Sequence, residues 1–131
     1  MNTLSYKEAE KMMQLFTERY VQKDLAAFLD LFADDIIFEF PYAQAPNPKR
    51  LNGKAAMQQY LERLADVLEI HSFTSPIIHV SANSPVFFAQ FEAHGTNLEK
   101  GSPYEQHYIS VVEVKDGKIA RYQDYWNPLA I

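Results

Sequence analysis

The feature that most constrains this chain is the dipeptide Asp116-Gly117, because it forces a tight reversal just before a strand-like stretch that runs to Asn127-Pro128. Glycine reaches positive φ at no steric cost, which is what such a turn requires. The residues that follow, Lys118 to Trp126, are rich in aromatics and read as a strand. Its period of two puts Ala120, Tyr122, Asp124 and Trp126 on one face and Ile119, Arg121, Gln123 and Tyr125 on the other. One carboxylate, Asp124, thus stands between two rings. If that face lines a pocket, desolvation raises its pKa and suits it to acid/base work. The alternative is a solvated aspartate beside a basic neighbour.

The rest of the chain supplies what that strand packs against. Ser5 and Glu8 have capping-box spacing, and Tyr6, Ala9, Met13, Phe16 and Tyr20 form the apolar stripe of a first helix. Asp24 can cap a second, with Leu25, Phe28, Leu29 and Phe32 on one face and Asp34-Asp35 at its end. Ile36 to Phe40 reads as a strand closed by Pro41, and Tyr42 to Leu51 as a loop. A third helix starts near Gly53 and buries Met57, Tyr60, Leu61, Leu64 and Leu68. From about His71 the chain is β-structure: His71–Ser81, Pro85–His94, Tyr104–Lys115 and the strand after Asp116-Gly117. The turns are 81–84, the loop from Gly95 to Gly101, and Asp116-Gly117. This predicts a single α+β domain over 1–131, with three helices packed on a strongly curved, mostly antiparallel sheet that encloses a conical cavity.

Nine Phe and eight Tyr in 131 residues suit the walls of such a cavity. A net charge of -5 argues against nucleic acid or an anionic membrane as partner. With no cysteine there is no thiolate nucleophile and no Cys-based metal site. His71, His79, His94 and His107 show no helical metal-ligand spacing, so no metal is expected. No glycine-rich loop opens a helix to cradle a nucleotide, and no Ser sits in a Gly-x-Ser-x-Gly elbow. The first residues lack a signal peptide's pattern and no run is long enough to span a membrane, so a cytoplasmic protein is expected.

The order of elements, with the 24–35 segment leading into a strand closed by Pro41, resembles the NTF2-like superfamily over essentially the whole chain. That superfamily includes SnoaL-like polyketide cyclases, ketosteroid isomerases and limonene epoxide hydrolases. In the C-terminal half, the stretches 92–95, 104–107, 117–119 and 124–128 resemble the small proteins of phenazine biosynthesis. That resemblance implies a pocket for a ring-bearing acid and puts the family's carboxylate on Asp124, one methylene shorter than its Glu. The phenazine family's helix His falls on Tyr60. Against the ketosteroid isomerases, the oxyanion Tyr falls on Phe16 and the base Asp on Phe40. Neither phenylalanine can move a proton, so that mechanism does not transfer.

The segment from Pro85 to His94 has one face carrying Val86, Phe88, Gln90, Glu92 and His94, and another carrying Phe87, Ala89, Phe91 and Ala93. We expect the first to be the pocket wall, the alternative being the solvent side of a half-buried strand. His107 shares a face with Glu105, opposite Tyr104, Gln106 and Tyr108. The expected catalytic set is Asp124 with Glu92 and His107. The expected pocket is Phe16, Phe38, Phe40, Tyr42, Tyr60, His79, Phe88, Gln90, His94, Tyr122 and Trp126. The function this predicts is acid/base isomerisation, cyclisation or condensation on a hydrophobic ring-bearing molecule, without metal or cofactor. The competing readings are a ligand-binding or scaffold domain and a plain dimerisation module. A homodimer is expected through the outer sheet face, by Phe87, Phe91, Ile109 and Val111.

Overall fold

The computed structural model describes residues 3–130. Helix α1 (Tyr6–Val21) opens with the capping box: Ser5 Oγ accepts from the Glu8 backbone N–H and Glu8 Oε1 from that of Ser5, both at 3.1 Å. Helix α2 (Leu25–Leu29) is capped by Asp24, whose Oδ1 accepts from the Ala27 N–H. It is shorter than its sequence suggests. The Ile119 N–H donates to the Leu31 carbonyl, drawing the chain into a β-ladder, so Phe32 opens strand β1 (Phe32–Glu39) and Asp34 and Asp35 lie within it.

The stretch expected as loop ends in a short strand β2 (Arg50–Asn52), which pairs antiparallel with β1. Helix α3 (Lys54–Leu64) follows, and Leu68, expected on its buried face, instead begins β3 (Leu68–Phe73). The single strand expected over 71–81 is two, β3 and β4 (Ile77–Val80), both paired with β5 (Val86–Asn97). Pro76 has no N–H to give at the break. Thr74 fills in there, its Oγ1 accepting from the Glu92 N–H at 2.8 Å and its own N–H donating to the Glu92 carbonyl at 2.9 Å. Strands β6 (Ser102–Lys115) and β7 (Lys118–Trp126) complete the sheet.

The strand order is β2-β1-β7-β6-β5-β3, with β4 alongside β5. Only β1–β7 is parallel among the pairs, so the sheet is mixed. Register shifts interrupt the β1–β7, β3–β5 and β6–β7 ladders, and such irregularities bend strands and increase their twist. Gly95 lies inside β5 rather than in a loop, because β3 passes so close that a Cβ there would stand 1.9 Å from the Glu69 carbonyl oxygen.

The inner sheet face carries the core. Phe87, Ala89, Val112 and Ile119 are buried with Ala9 and Met13 of α1, Phe28 of α2 and Met57 of α3. Tyr122 is clamped between two rings, Phe16 at 5.2 Å and Phe38 at 4.6 Å, both within 5° of parallel. Among the described residues no helix is long and apolar enough to cross a membrane.

Candidate functional site

Beyond the Tyr122 stack the core opens into a cavity of about 370 Å³. That lies within the range of small-molecule sites. Strand β7 presents Tyr122, Asp124 and Trp126 to it. What puts Asp124 there is a bulge. The turn pairs Lys115 with Lys118 and Val114 with Ile119, but the next pair is Glu113 with Arg121, leaving Ala120 unpartnered. Ile119 before the bulge and Tyr122 after it therefore both face the core, and Asp124 pairs with the buried Ser110. Past Trp126 the chain is held by the buried Gln106. Its Oε1 accepts from the Asn127 N–H at 2.8 Å and its Nε2 donates to the Asn127 carbonyl at 3.2 Å, which fixes the end of the strand that carries the site.

Rings make up most of the wall. Phe40 contacts Phe38 (5.1 Å), Tyr60 (5.1 Å) and Trp126 (5.6 Å), and Phe91 stacks on Tyr108 at 5.4 Å. Asp124 retains some accessible surface, yet its carboxyl is enclosed by protein, because that surface opens onto the cavity. Its Oδ1 and the indole Nε1 of Trp126 are buried without a hydrogen-bond partner among the described residues. Burial alone pushes the Asp124 pKa up to about 7. No arginine, lysine or histidine lines the cavity among the described residues, so nothing offsets that cost.

The phenols around it stay protonated. Burial first, and then the Asp124 charge, raise Tyr60 to about 12, and burial is likewise the leading cause that raises Tyr20, Tyr104, Tyr108 and Tyr122. The Tyr122 hydroxyl pairs with Ser110 and that of Tyr104 with Tyr108. The site is therefore one carboxyl poised to gain or lose a proton near neutrality, in a box of neutral rings.

Of the residues singled out in the sequence, Asp124, Phe16, Phe38, Phe40, Tyr60, Tyr122 and Trp126 meet at this cavity. The others do not. The uniformly apolar face of β5, with Phe87 and Phe91, is the one buried under the helices, so Phe88, Gln90, Glu92 and His94 point outward. His107 pairs with Glu92 and His79 with Phe88, and cross-strand partners share a face, so both histidines lie outside as well. There His107 Nδ1 lies 3.9 Å from Glu92 and His94 Nδ1 lies 3.6 Å from Glu105, all well exposed. Tyr42 is exposed and meets Tyr125 edge-on at 5.4 Å, away from the cavity. Arg121 is ion-paired with Glu39 at 2.8 Å.

Sequence reasoning missed Tyr20, Phe91, Tyr104 and Tyr108 as wall residues. The signal for the last two was present: Tyr104, Gln106 and Tyr108 alternate with the charged Glu105 and His107, and the charged set is the one that belongs outside.

The profile of the SnoaL-like domain matches residues 9–122. The chain is 40% identical over 126 residues to the uncharacterized protein YesE of Bacillus subtilis, covering 96% of this chain and 86% of that protein. It is 30% identical over 106 residues to an uncharacterized PhzA/B-like protein of Pseudomonas aeruginosa, covering 81% and 74%. Among solved structures, one described as a candidate isomerase from Bacillus subtilis superposes with a TM-score of 0.91 at 40% identity, covering 96% of this chain and 91% of the other. A candidate polyketide cyclase from Pseudomonas putida superposes at 0.81 with 22% identity and 93% of each chain covered, a likeness of fold.

Proposed function

The chain belongs to the family of SnoaL-like domains, and on that premise we propose that its cavity takes a hydrophobic, ring-bearing small molecule on which Asp124 acts as acid/base, in an isomerisation or cyclisation that needs no metal or cofactor. The observation that carries this reading is the Asp124 carboxyl, enclosed and without a counter-charge on the cavity wall, where burial pushes its pKa up to about 7. An acid whose pKa matches the working pH transfers protons most effectively in both directions. As carboxylate it takes a proton from a carbon next to a carbonyl. Returning that proton to another carbon isomerises the molecule; alternatively the carbanion attacks a second carbonyl to close a ring, and the alkoxide left by the broken C=O π bond takes the proton back from Asp124. Glu92 and His107 have no part in this reading, since both lie on the outer face.

The test is hydrogen–deuterium exchange at the α-carbons of 2-tetralone, followed by NMR in D2O. The wild-type protein accelerates exchange, with a rate that rises through about pH 7 and falls at least a hundredfold in Asp124→Asn. Exchange that survives this substitution refutes the assignment. Ligand binding without turnover is the second reading, favoured by one observation: the buried Asp124 Oδ1 has no hydrogen-bond partner to orient the carboxyl among the described residues. Saturable binding with no exchange selects it.

The proposed homodimer keeps the outer sheet face but changes its residues. Phe88 (40% exposed), Ile109 (46%) and Ile77 (59%) stand there, with Val111 beside them, in place of the buried Phe87 and Phe91. A contiguous apolar patch of this kind is stabilised by a partner.

A further inference from the structure

Tyr104 and Tyr108 both face the cavity, and their hydroxyls meet at 2.7 Å. Two phenols joined by one hydrogen bond own two protons, so one O–H is left to donate elsewhere. The Gln106 side chain also reaches the Tyr104 hydroxyl, but as a donor, its Oε1 already accepting from the Asn127 and His107 N–H groups, so it does not take that proton. A hydroxyl that accepts one hydrogen bond is a stronger donor of the next. Tyr108 pairs across the strands with Trp126, which makes Asp124 its diagonal neighbour on the inner face, roughly 7 Å away at the Cβ atoms. The phenol pair and the carboxyl thus come from neighbouring positions on one wall of the cavity.

The wall's charge completes the description. Its acids are Asp124 and, at the exposed turn after β5, Glu99, and no basic residue lines it among the described residues. A carboxylate entering here would be desolvated with no cation to meet it. We propose that the cavity selects an uncharged ring-bearing carbonyl compound, whose oxygen accepts the spare proton of the Tyr104–Tyr108 pair while the adjacent C–H faces Asp124. This rests on the small-molecule reading above and narrows it: the ring-bearing acid that the phenazine resemblance implied is disfavoured.

The test compares three naphthalenes of one shape by isothermal titration calorimetry at pH 6: the ketone 2-acetylnaphthalene, its alkene isostere 2-isopropenylnaphthalene, and 2-naphthoate. The ketone binds about tenfold or more tightly than the alkene, the margin of one buried hydrogen bond, and at least tenfold more tightly than the carboxylate. In the double variant Tyr104→Phe/Tyr108→Phe the ketone's margin over the alkene disappears while the alkene's affinity is retained. The wild-type ratio stands as a test on its own if that variant misfolds. Equal binding of ketone and alkene, or tighter binding of the naphthoate, overturns this inference alone. Failure of all three to bind overturns it together with the pocket reading beneath it.

Discussion

Replacing Asp124 by asparagine removes one titrating group and nearly no volume, so its effect on stability is a pH-dependent quantity that can be worked from the structure. Asp124 titrates at about 7 in the folded chain against an ordinary value of 3.8. Below about pH 4 both folded and unfolded chains carry the proton, and the group contributes no pH dependence. Between 4 and 7 the unfolded chain gives up its proton and the folded chain does not, so each pH unit favours unfolding by about 1.4 kcal/mol. Above 7 both are ionised and the accumulated cost stays constant at roughly 4 kcal/mol. Asparagine has no such cost. The assay is urea unfolding of wild type and Asp124→Asn at half-unit steps from pH 4 to 8. The variant's stability relative to wild type rises by about 4 kcal/mol across that range, with the change concentrated between pH 4 and 7. A difference independent of pH would mean that the carboxyl titrates alike in both states, and the argument from desolvation would fail.

Other perturbations probe the frame around the site. Gly95→Ala puts a methyl group into the Glu69 carbonyl, so β3 must move away from β5; a loss of about 2–4 kcal/mol by chemical denaturation is expected, and a neutral effect would contradict the close approach. Phe38→Ala removes one side of the Tyr122 sandwich and costs about 3–5 kcal/mol, read the same way. The pair Phe88→Asp and Ile109→Lys shifts the protein to a monomer in analytical ultracentrifugation at micromolar concentration, without loss of fold by circular dichroism. A wild-type protein that is already monomeric would remove the dimer.

Periodicity located the helices α1 and α3, and the β-character of the chain after His71 was legible, but not the break that divides 71–81 into β3 and β4 or the start of β3 at Leu68. It also located Asp124, since aromatic residues flank it on one parity of β7. What it did not locate depends on register between strands. Ideal pairing from Asp116-Gly117 would set Tyr122 opposite Val111, and the unpartnered Ala120 sets it opposite Val112 instead. Nothing in the residues 119–121 announces that bulge. On β5 one parity is uniformly apolar and the other runs from Val86 and Phe88 to Glu92 and His94; that graded face looked like a pocket wall until the helices proved to cover the other. With that inversion went Glu92, His94 and His107. The short α2 and the early start of β1 reflect a tertiary contact, the bond from Ile119 to Leu31, that overrides a helical stripe reaching Phe32. Gly95 reads as a turn residue locally; its need for glycine comes from β3, at a distance in sequence.

The central claim is that Asp124 is a desolvated acid facing a cavity, and the most direct test is its own titration. Carboxyl 13C NMR of the wild-type protein, with Asp124→Asn to assign the resonance, follows this one group from pH 3 to 9. A midpoint near 7 is expected. A midpoint at or below about 3.9, the value of a solvated or ion-paired aspartate, would contradict the claim.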